Sequence, residues 1–381
     1  MIATLHNKSF FPIGYHQFHK NQIYNFQLNR WYSLGVARFD DVEEIGKKVK
    51  TFEDWKMETV KQAEKAVSEN RLLNAAFHYR SAEFYTMPAD HPAKEYYYDK
   101  FIALFYKAIE GETIERIQVP HESVFLPAIR ITPEKDRKGI ILLHGGFDAF
   151  LEEWFYIMKY LSQNGYEVIG FEGPGQGNVI LKQKYPLDYR WEKPVQSILD
   201  YLKIDQATLL GLSMGGWLCL RASAFEPRIK NVIASGHACD YMKIPPAMAQ
   251  WLMLFFFKFF KNYTNNSMLK MINKGGMQSW QLNQLMHITK LDSPIEALEF
   301  AMKLNEQNLH AELVKQDVLY LTGRNDHFIP FKMHRRQMKL LTHAASITDR
   351  VFNKNEHAQN HCQIGNIKLM LDTIIDWLKL Q

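Results

Sequence analysis

The chain has few cysteines and no long apolar segment. Three cysteines occur among 381 residues, Cys219, Cys239 and Cys362, and a low, odd number without framework spacing is typical of a reducing compartment. The longest apolar run, 251–260, is interrupted by Lys258 and is far shorter than the ~20 residues that a membrane-spanning helix requires. The first 19 residues lack the apolar core of a signal peptide. We therefore expect a cytoplasmic protein without a membrane span.

The sequence also lacks a large excess of charges of one sign, and it lacks metal-binding and cofactor-binding motifs. The 46 Lys and Arg are interspersed with 41 Asp and Glu, which predicts a mixed solvated surface and no nucleic-acid partner. No His-Glu-x-x-His pattern occurs, and the glycine cluster 173–177 has neither the ending of a phosphate loop nor the spacing of a dinucleotide loop. We expect no metal and no cofactor, and a tight turn at 173–177 on the floor of a pocket.

What the chain does have is enough apolar sequence for a large core and more than one domain. Hydrophobic residues make up 46% of the chain and aromatic residues 13%, as in globular proteins. Apolar residues at helical spacing predict helices over 41–70 and 71–86, and a third that begins at the cap-like Asp90 with Pro92 in its first turn. Residues 1–112 are therefore predicted to form a helical N-terminal domain.

From residue 113 onward, the pattern changes to short apolar strands that alternate with helices. Two β-rich runs, 113–119 and 124–132, flank a turn that contains Pro120. The later strands are continuous apolar runs, typical of a parallel sheet that is buried on both faces: 139–143, 167–171, 207–210, 231–234 and 318–321. A final strand is predicted over 347–352. This alternation predicts an α/β catalytic domain over 113–381.

A helical insertion interrupts this domain at about 240–312. The stretch is much longer than one connection requires, and helices are predicted over 245–262, over 278–289 and from Ser293, where Glu296 would complete a capping box. We expect the insertion to form a lid over the carboxyl edge of the sheet, where ligands of open α/β sheets bind.

The clearest chemical motif is Gly-Leu-Ser-Met-Gly-Gly at 211–216, between the strand 207–210 and a helix. A Gly-x-Ser-x-Gly turn in this context strains the serine backbone and exposes its hydroxyl. The glycines avoid collisions with the neighbouring strand and helix. The motif predicts that Ser213 is a nucleophile.

A serine nucleophile needs a base, and the base needs an orienting acid, both later in the chain. Asp326 lies on the loop after the strand 318–321 and is the predicted acid. The segment after the strand 347–352 contains two histidines, His357 and His361. Either one satisfies the spacing, so the residues alone leave the base open.

The tetrahedral intermediate of such a reaction needs backbone N–H donors. Met214, directly after the nucleophile, is one predicted donor. The second is predicted in the loop after the strand 139–143, with Gly146 as first choice and Phe147 as second. His144, at the start of this loop, is expected to be a structural hydrogen-bonding residue.

These motifs resemble the α/β-hydrolase superfamily across residues 113–381. The chain looks most like the branch that includes 2,6-dihydroxypseudooxynicotine hydrolase, fungal polyketide-shortening hydrolases and FrsA-like proteins, which also have a helical N-terminal domain. The matching segments are 145–148 with Glu152 and Glu153, 172–177, and 356–363.

The resemblance favours His361 as the base, because the catalytic histidine of that branch precedes Cys-Gln, as it does here. It implies hydrolysis at a carbonyl carbon, at C–C bonds beside ketones in some members and at esters or amides in others. Asp148 matches an acidic position of the nicotine-pathway enzymes, so we hypothesise that it contacts the substrate.

Three functions follow as expectations. The first is a serine hydrolase for a small, largely apolar carbonyl compound, with Phe255 and Phe256 of the lid lining its pocket; the alternatives for the same aromatic stripe are lid packing or a homodimer interface. The second is an acylaminoacyl-peptidase-like enzyme, although the N-terminal part is too short for the β-propeller that usually accompanies that type. The third is a non-catalytic binding or regulatory protein on a hydrolase scaffold.

Overall fold

A computed structural model describes residues 11–88 and 90–381 of the chain. Residues 1–10 and Ala89 lie outside this description, and with residues 1–10 about half of the segment judged to lack a signal peptide. The cap of the third predicted helix is His91 and not Asp90: the His91 side chain accepts from Ala93 N at 3.1 Å, and Pro92 is the first helical residue. The first part of the described chain is helical, as predicted: α1 (Gln22–Ser33), α2 (Phe39–Lys48), α3 (Phe52–Ser68), α4 (Leu72–Phe84) and α5 (Pro92–Ala108).

Two further features of this helical part differ from the prediction. The single helix expected over 41–70 is interrupted at Val49, which is extended with ψ 133°. Thr51 then starts α3 with a capping box, in which its Oγ1 accepts from Asp54 N at 3.1 Å and Asp54 Oδ2 accepts from Thr51 N at 3.0 Å. The second difference is α1, which was not predicted and which contributes to the candidate site described below.

The described chain contains one eight-stranded sheet with the order β1-β2-β4-β3-β5-β6-β7-β8. Strands β3 to β8 run parallel, whereas β2 is antiparallel to both β1 and β4. The bounds are β1 (Glu115–His121), β2 (Val124–Ile131), β3 (Gly139–His144), β4 (Tyr166–Phe171), β5 (Ala207–Leu212), β6 (Ile229–Ser235), β7 (Asp317–Gly323) and β8 (Ser346–Phe352).

The six later predicted strands each lie within one of these, usually extended by one or two residues, whereas β1 is shifted by two residues from the predicted 113–119 and β2 ends one residue before the predicted 124–132. Every residue of β4 and β5 is buried, as expected of central parallel strands. Pro120 is not in the turn but inside β1, opposite Phe125. A proline is tolerated there because β1 is an edge strand and needs no donor on its outer side.

Helices cover the sheet and form the insertion. The sheet helices are α6 (Phe155–Gln163), α7 (Gly177–Leu181), α8 (Glu192–Tyr201) and α9 (Met214–Phe225). The insertion between β6 and β7 contains α10 (Ala247–Phe259), α11 (Lys261–Lys274), α12 (Met277–Thr289), α13 (Pro294–Ala301) and α14 (Glu306–Leu309). The chain ends with α15 (Lys332–Leu340) and α16 (Ile367–Leu378) on either side of β8.

The insertion is helical, as expected, but it is built differently in detail. The predicted helix 245–262 ends at Phe259, and α11 follows it as a separate helix. The capping box at Ser293 is absent, because the Ser293 hydroxyl donates to Asn265 Oδ1 at 3.0 Å, and Ile295 N donates to the same oxygen at 3.3 Å. The start of α13 is thus capped by a side chain from α11. Among the described residues, no helix has the length and apolar character needed to cross a bilayer.

Candidate active site

Ser213 occupies a strained turn between β5 and α9. Its backbone angles are φ 61° and ψ −132°, a combination that a non-glycine residue adopts only when its surroundings hold it there. Ser213 N donates to Ser235 O at the end of β6, 2.8 Å away. A Cβ atom on Gly211 would lie 2.1 Å from Gly215 O. Glycine at 211 therefore allows the strand and the helix to approach closely enough for the turn to form.

The structure brings His361 and Asp326 to this serine. Asp326 Oδ2 accepts from His361 Nδ1 at 2.7 Å, which leaves Nε2 to accept from the Ser213 hydroxyl, 2.9 Å away. Asp326 is itself oriented, because its Oδ1 accepts from Phe328 N at 2.8 Å and from Ile329 N at 2.9 Å. The three predicted side chains thus form one hydrogen-bonded line.

Electrostatics favour proton transfer to His361. Burial opposes a charge on the imidazole, but the carboxylate of Asp326 more than offsets this effect and holds the pKa of His361 well above its usual value. The alternative, His357, is exposed and lies in the left-handed region with φ 58°. The geometry therefore joins His361, and not His357, to Ser213.

The loop after β3 lies against the N-terminus of α9. A Cβ atom on Gly146 would approach Met214 N to 2.7 Å, so the loop backbone and the Met214 N–H border the same small space. Met214 is the first residue of α9, and its N–H therefore has no acceptor within the helix. Gln176, from the turn after β4, supports the loop by donating to Gly145 O at 2.8 Å and to Gly146 O at 3.1 Å.

His144 has the structural environment expected of it. Its Nε2 accepts from Trp191 Nε1 at 3.2 Å, and burial lowers its pKa to about 4. It is therefore neutral at physiological pH and packs beneath the loop, without a contact to Ser213.

A cavity of about 580 Å³ opens above Ser213, and its wall is largely apolar. Ser213, His361, Met214, Gly146, Phe147 and Asp148 all border it. The insertion contributes side chains from α11 and α12, including Met268, Met271, Met277 and Trp280. The N-terminal helices and the residues that end them contribute Phe26, Gln27, Arg30, Leu34 and Tyr85. This group was missed from sequence, and its first four members lie in or directly after α1, which was not recognised as a helix.

The prediction that Phe255 and Phe256 line the cavity is wrong. Neither borders it, and 36% and 39% of their surfaces are exposed. The aromatic content of α10 suggested a pocket, but in α10 only Phe257 is buried. Because α10 is apolar on all sides, its periodicity does not indicate which side faces the protein.

Asp148 is held at the cavity wall by an ionic network from the N-terminal domain. Arg30 contacts Asp148 Oδ1 at 3.3 Å and Glu153 Oε2 at 2.5 Å. Arg80 bonds the other oxygen of Glu153 at 2.8 Å and also donates to the carbonyl of Asp148. Burial alone would raise the pKa of Glu153, but Arg30 and Arg80 hold it below its usual value. The loop after β3 is thus fixed by α1 and α4.

Two polar atoms near the cavity lack a hydrogen-bond partner among the described residues. They are Gln27 Oε1 and the Tyr85 hydroxyl, both on buried side chains of the N-terminal domain. No group of three or more His, Cys, Asp or Glu in the described chain is arranged to hold a metal ion.

Comparison with known proteins gives the context of this site. A family model described as the α/β hydrolase fold matches residues 139–266. The hydrolase LUC6 of a Fusarium species is 26% identical over 243 residues, covering 57% of this chain and 56% of that protein. The hydrolase acrC of Aspergillus aculeatus is 23% identical over 338 residues, covering 78% of this chain and 74% of that protein.

Two solved structures are similar over nearly the whole chain. The 2,6-dihydroxy-pseudo-oxynicotine hydrolase has a TM-score of 0.65 at 19% identity, covering 92% of this chain and 94% of that one. AbyA5 has a TM-score of 0.68 at 17% identity, covering 94% and 95%. The predicted fold class and the resemblance are therefore confirmed: the chain has the α/β-hydrolase fold, with an eight-stranded, mostly parallel sheet, and resembles hydrolases of that fold.

Proposed function

We propose that the chain is a serine hydrolase that cleaves a small carbonyl compound, at an ester, an amide or a C–C bond beside a ketone. One observation carries the proposal: Ser213, His361 and Asp326 form a continuous hydrogen-bonded line at the wall of the cavity. The similarity to fungal proteins named hydrolases supports the same reaction class.

In the first half of the proposed reaction, Ser213 Oγ attacks the substrate carbonyl carbon. His361 Nε2 takes the hydroxyl proton, and Asp326 stabilises the imidazolium and keeps the ring in position. The carbonyl oxygen becomes an oxyanion, for which Met214 N–H is one donor and Gly146 or Phe147 N–H the second. The closeness of Gly146 to Met214 N supports this pairing.

In the second half, His361 gives its proton to the leaving group as the bond to the carbonyl carbon breaks. For an ester or amide, the leaving atom is oxygen or nitrogen; for a β-diketone, it is a carbon that departs as an enolate and is protonated. Water then attacks the acyl-serine, His361 takes its proton, and the carboxylic acid leaves with Ser213 restored.

The cavity favours a small, mostly apolar substrate with a polar group at one end. Its volume lies in the range of small-molecule sites. Asp148 and Arg30 border it beside the Gln27 and Tyr85 side chains, whose polar atoms lack partners in the described chain. A substrate hydroxyl or carbonyl near these groups would satisfy them. A β-propeller of the peptidase type finds no counterpart in residues 11–88 and 90–112, where the elements are helices.

Labelling with a fluorophosphonate probe tests the activated serine. We expect rapid labelling of the native chain, none of Ser213→Ala, and a loss of at least about 100-fold in rate for His361→Ala, because a missing general base costs ~10²–10⁴-fold. His357→Ala is the matched control and should label at the native rate. Slow labelling of His357→Ala with normal labelling of His361→Ala would contradict the assigned base. No labelling of the folded native chain would favour the non-catalytic alternative.

A further inference from the structure

The outer side of the insertion carries an unusually apolar surface. We define the aromatic face as Trp251, Phe255, Phe256 and Phe259 of α10, with Phe260 and Tyr263 that follow. These side chains are exposed to between 36% for Phe255 and 69% for Tyr263. Their rings pack on one another, with centroids 5.5 Å apart for Trp251 and Phe255 and 5.1 Å for Phe255 and Phe259. A contiguous exposed patch of this kind marks an interaction site.

The segment of sequence that carries the aromatic face has charges of one sign. Residues 241–291 contain six lysines and no Asp or Glu, whereas the rest of the chain carries 40 Lys or Arg and 41 Asp or Glu. The whole net charge therefore originates in this segment. Lys261 is paired with Glu299, but Lys258, Lys270 and Lys274 are exposed and form no salt bridge within the described chain.

This combination identifies the kind of partner. Two copies of this surface packed together would bring Lys258, Lys270 and Lys274 near the same lysines of the other copy, and the segment 241–291 has no acidic residue to pair with them, which costs energy. A surface of anionic lipid headgroups provides the opposite charge, and the acyl boundary beneath it accepts the aromatic rings. Trp and Tyr are enriched at that boundary because their rings are apolar with a polar end.

We propose that α10 and α11 dock on an anionic lipid surface, lying in the plane of the interface. The aromatic face enters the boundary between headgroups and acyl chains, and Lys258, Lys270 and Lys274 contact lipid phosphates. Helix α11 also lines the cavity through Met268 and Met271, so the docked surface and the candidate active site share one helix. Docking does not depend on the proposed chemistry at Ser213.

Sedimentation of the full chain with vesicles tests this proposal. We expect binding to vesicles of phosphatidylcholine with 30% phosphatidylglycerol, and at least tenfold weaker binding to phosphatidylcholine alone. Phe255→Ser/Phe259→Ser should abolish binding by removing apolar contact. Lys258→Glu/Lys270→Glu should weaken it by roughly 25-fold or more, since each lysine near an anionic surface contributes about fivefold.

Matched controls change the same residue types elsewhere. Phe125 of β2 is a comparably exposed phenylalanine, and Lys135 and Lys315 are exposed lysines; Phe125→Ser and Lys135→Glu/Lys315→Glu should bind as the native chain does. Circular dichroism verifies that each variant is folded. Absent binding, equal binding to neutral vesicles, or aromatic-face variants that bind normally would overturn the proposal. A second result would also overturn it: the native chain does not bind vesicles but forms a dimer in sedimentation velocity, and Phe255→Ser/Phe259→Ser abolishes that dimer.

Discussion

Asp148 has two possible tasks at the wall of the cavity, and one substitution separates them. It borders the cavity, and it is one of two carboxylates that contact Arg30. If Asp148 contacts the substrate, Asp148→Asn should raise KM about tenfold or more with a smaller effect on kcat, because hydrogen bonds to charged groups contribute ~1.5–3 kcal/mol. Steady-state kinetics with the best substrate from an ester and diketone panel measures this split.

The control for Asp148 is Asp200→Asn. Asp200 also pairs with an arginine, Arg228 at 2.6 Å, but does not border the cavity. Its KM should be unchanged. If Asp148→Asn alters neither constant, Asp148 only helps to hold the loop through Arg30, and the hypothesis of a substrate contact is wrong.

For individual residues, local sequence motifs were better predictors than the separation of residues along the chain. Ser213 was predictable because the glycines, the strand and the helix that form its turn are all adjacent in sequence. Which histidine lies beside Ser213 was not predictable from spacing, because His361 reaches Ser213 through a turn in which Cys362 and Gln363 are both left-handed, with φ 49° and 55°. Gln363 Oε1 then accepts from the Ser235 hydroxyl at 2.9 Å. Neither residue type signals such a conformation.

Between elements, a pair of buried carboxyl groups makes stability depend on pH. Glu152 follows the loop after β3, and Glu172 follows β4. Burial raises the pKa of both; Glu152 further raises the pKa of Glu172, and the neighbouring Glu153 raises that of Glu152. Glu172 accepts from Leu151 N and Asn178 N, whereas Glu152 Oε2 has no partner in the described chain. We therefore expect Glu152 to be the more readily protonated of the two carboxyl groups.

Because the pKa values of these two groups are raised in the folded state, the protein becomes less stable as pH rises. At pH values below about 4.3, the usual glutamate pKa, both groups are protonated in the folded and in the unfolded chain, so they do not lower the free energy of unfolding. As pH rises through neutrality, the unfolded chain ionises first, so the free energy of unfolding falls. Glu152→Gln removes one ionisation and keeps an acceptor for the Tyr106 hydroxyl, 3.0 Å away. Urea unfolding should show the variant more stable by about 1–3 kcal/mol at pH 8 and equal near pH 4.

Glu153→Gln provides the contrast, because Glu153 is neutralised by Arg30 and Arg80. This variant should be less stable at pH 8, since it leaves buried charges without a partner. An unchanged pH slope in Glu152→Gln would show that its carboxyl group is ionised in the folded protein.

The elements themselves were predictable where burial follows periodicity. The buried parallel strands are continuous apolar runs, so their positions could be identified. Helix α1 was missed because polar residues are buried in it: Asn25 Oδ1 accepts from His19 N at 2.9 Å, and Asn29 Oδ1 accepts from His16 N at 2.7 Å. The cap of α13 by Asn265 is likewise a tertiary contact. No local pattern reports either feature.

Across the whole molecule, buried contacts join the N-terminal helices, the sheet and the insertion between β6 and β7. Trp280 of the insertion donates to Phe84 O of α4 at 2.7 Å and stacks on its ring at 4.8 Å. Phe26 of α1 packs on Phe328 at 5.5 Å, beside Asp326. One continuous hydrophobic core includes residues of α1 to α5, of the sheet and of α16. The proposed boundary at residue 112 is thus a change of secondary structure within a shared core.

Such a core predicts cooperative unfolding, although chains with separable domains usually unfold in steps. Native-state hydrogen exchange should give the slowest amides of α4, such as Phe77, the same opening free energy as those of β5, such as Leu209, to within about 0.5 kcal/mol. Both residues are almost fully buried. Amides of α10, whose residues are mostly exposed, provide the internal control and should open at a much lower free energy.

Trp280→Phe tests whether the insertion takes part in this cooperative unit. The substitution keeps an aromatic ring against Phe84 and removes the indole hydrogen bond, so global stability should fall by about 1 kcal/mol. If the insertion belongs to the unit, amides of α4 and β5 lose protection equally. If α4 alone loses protection, or if it already opens several kcal/mol below β5 in the native chain, the N-terminal helices unfold on their own. The wall of the cavity that they form would then open independently of the sheet that carries Ser213.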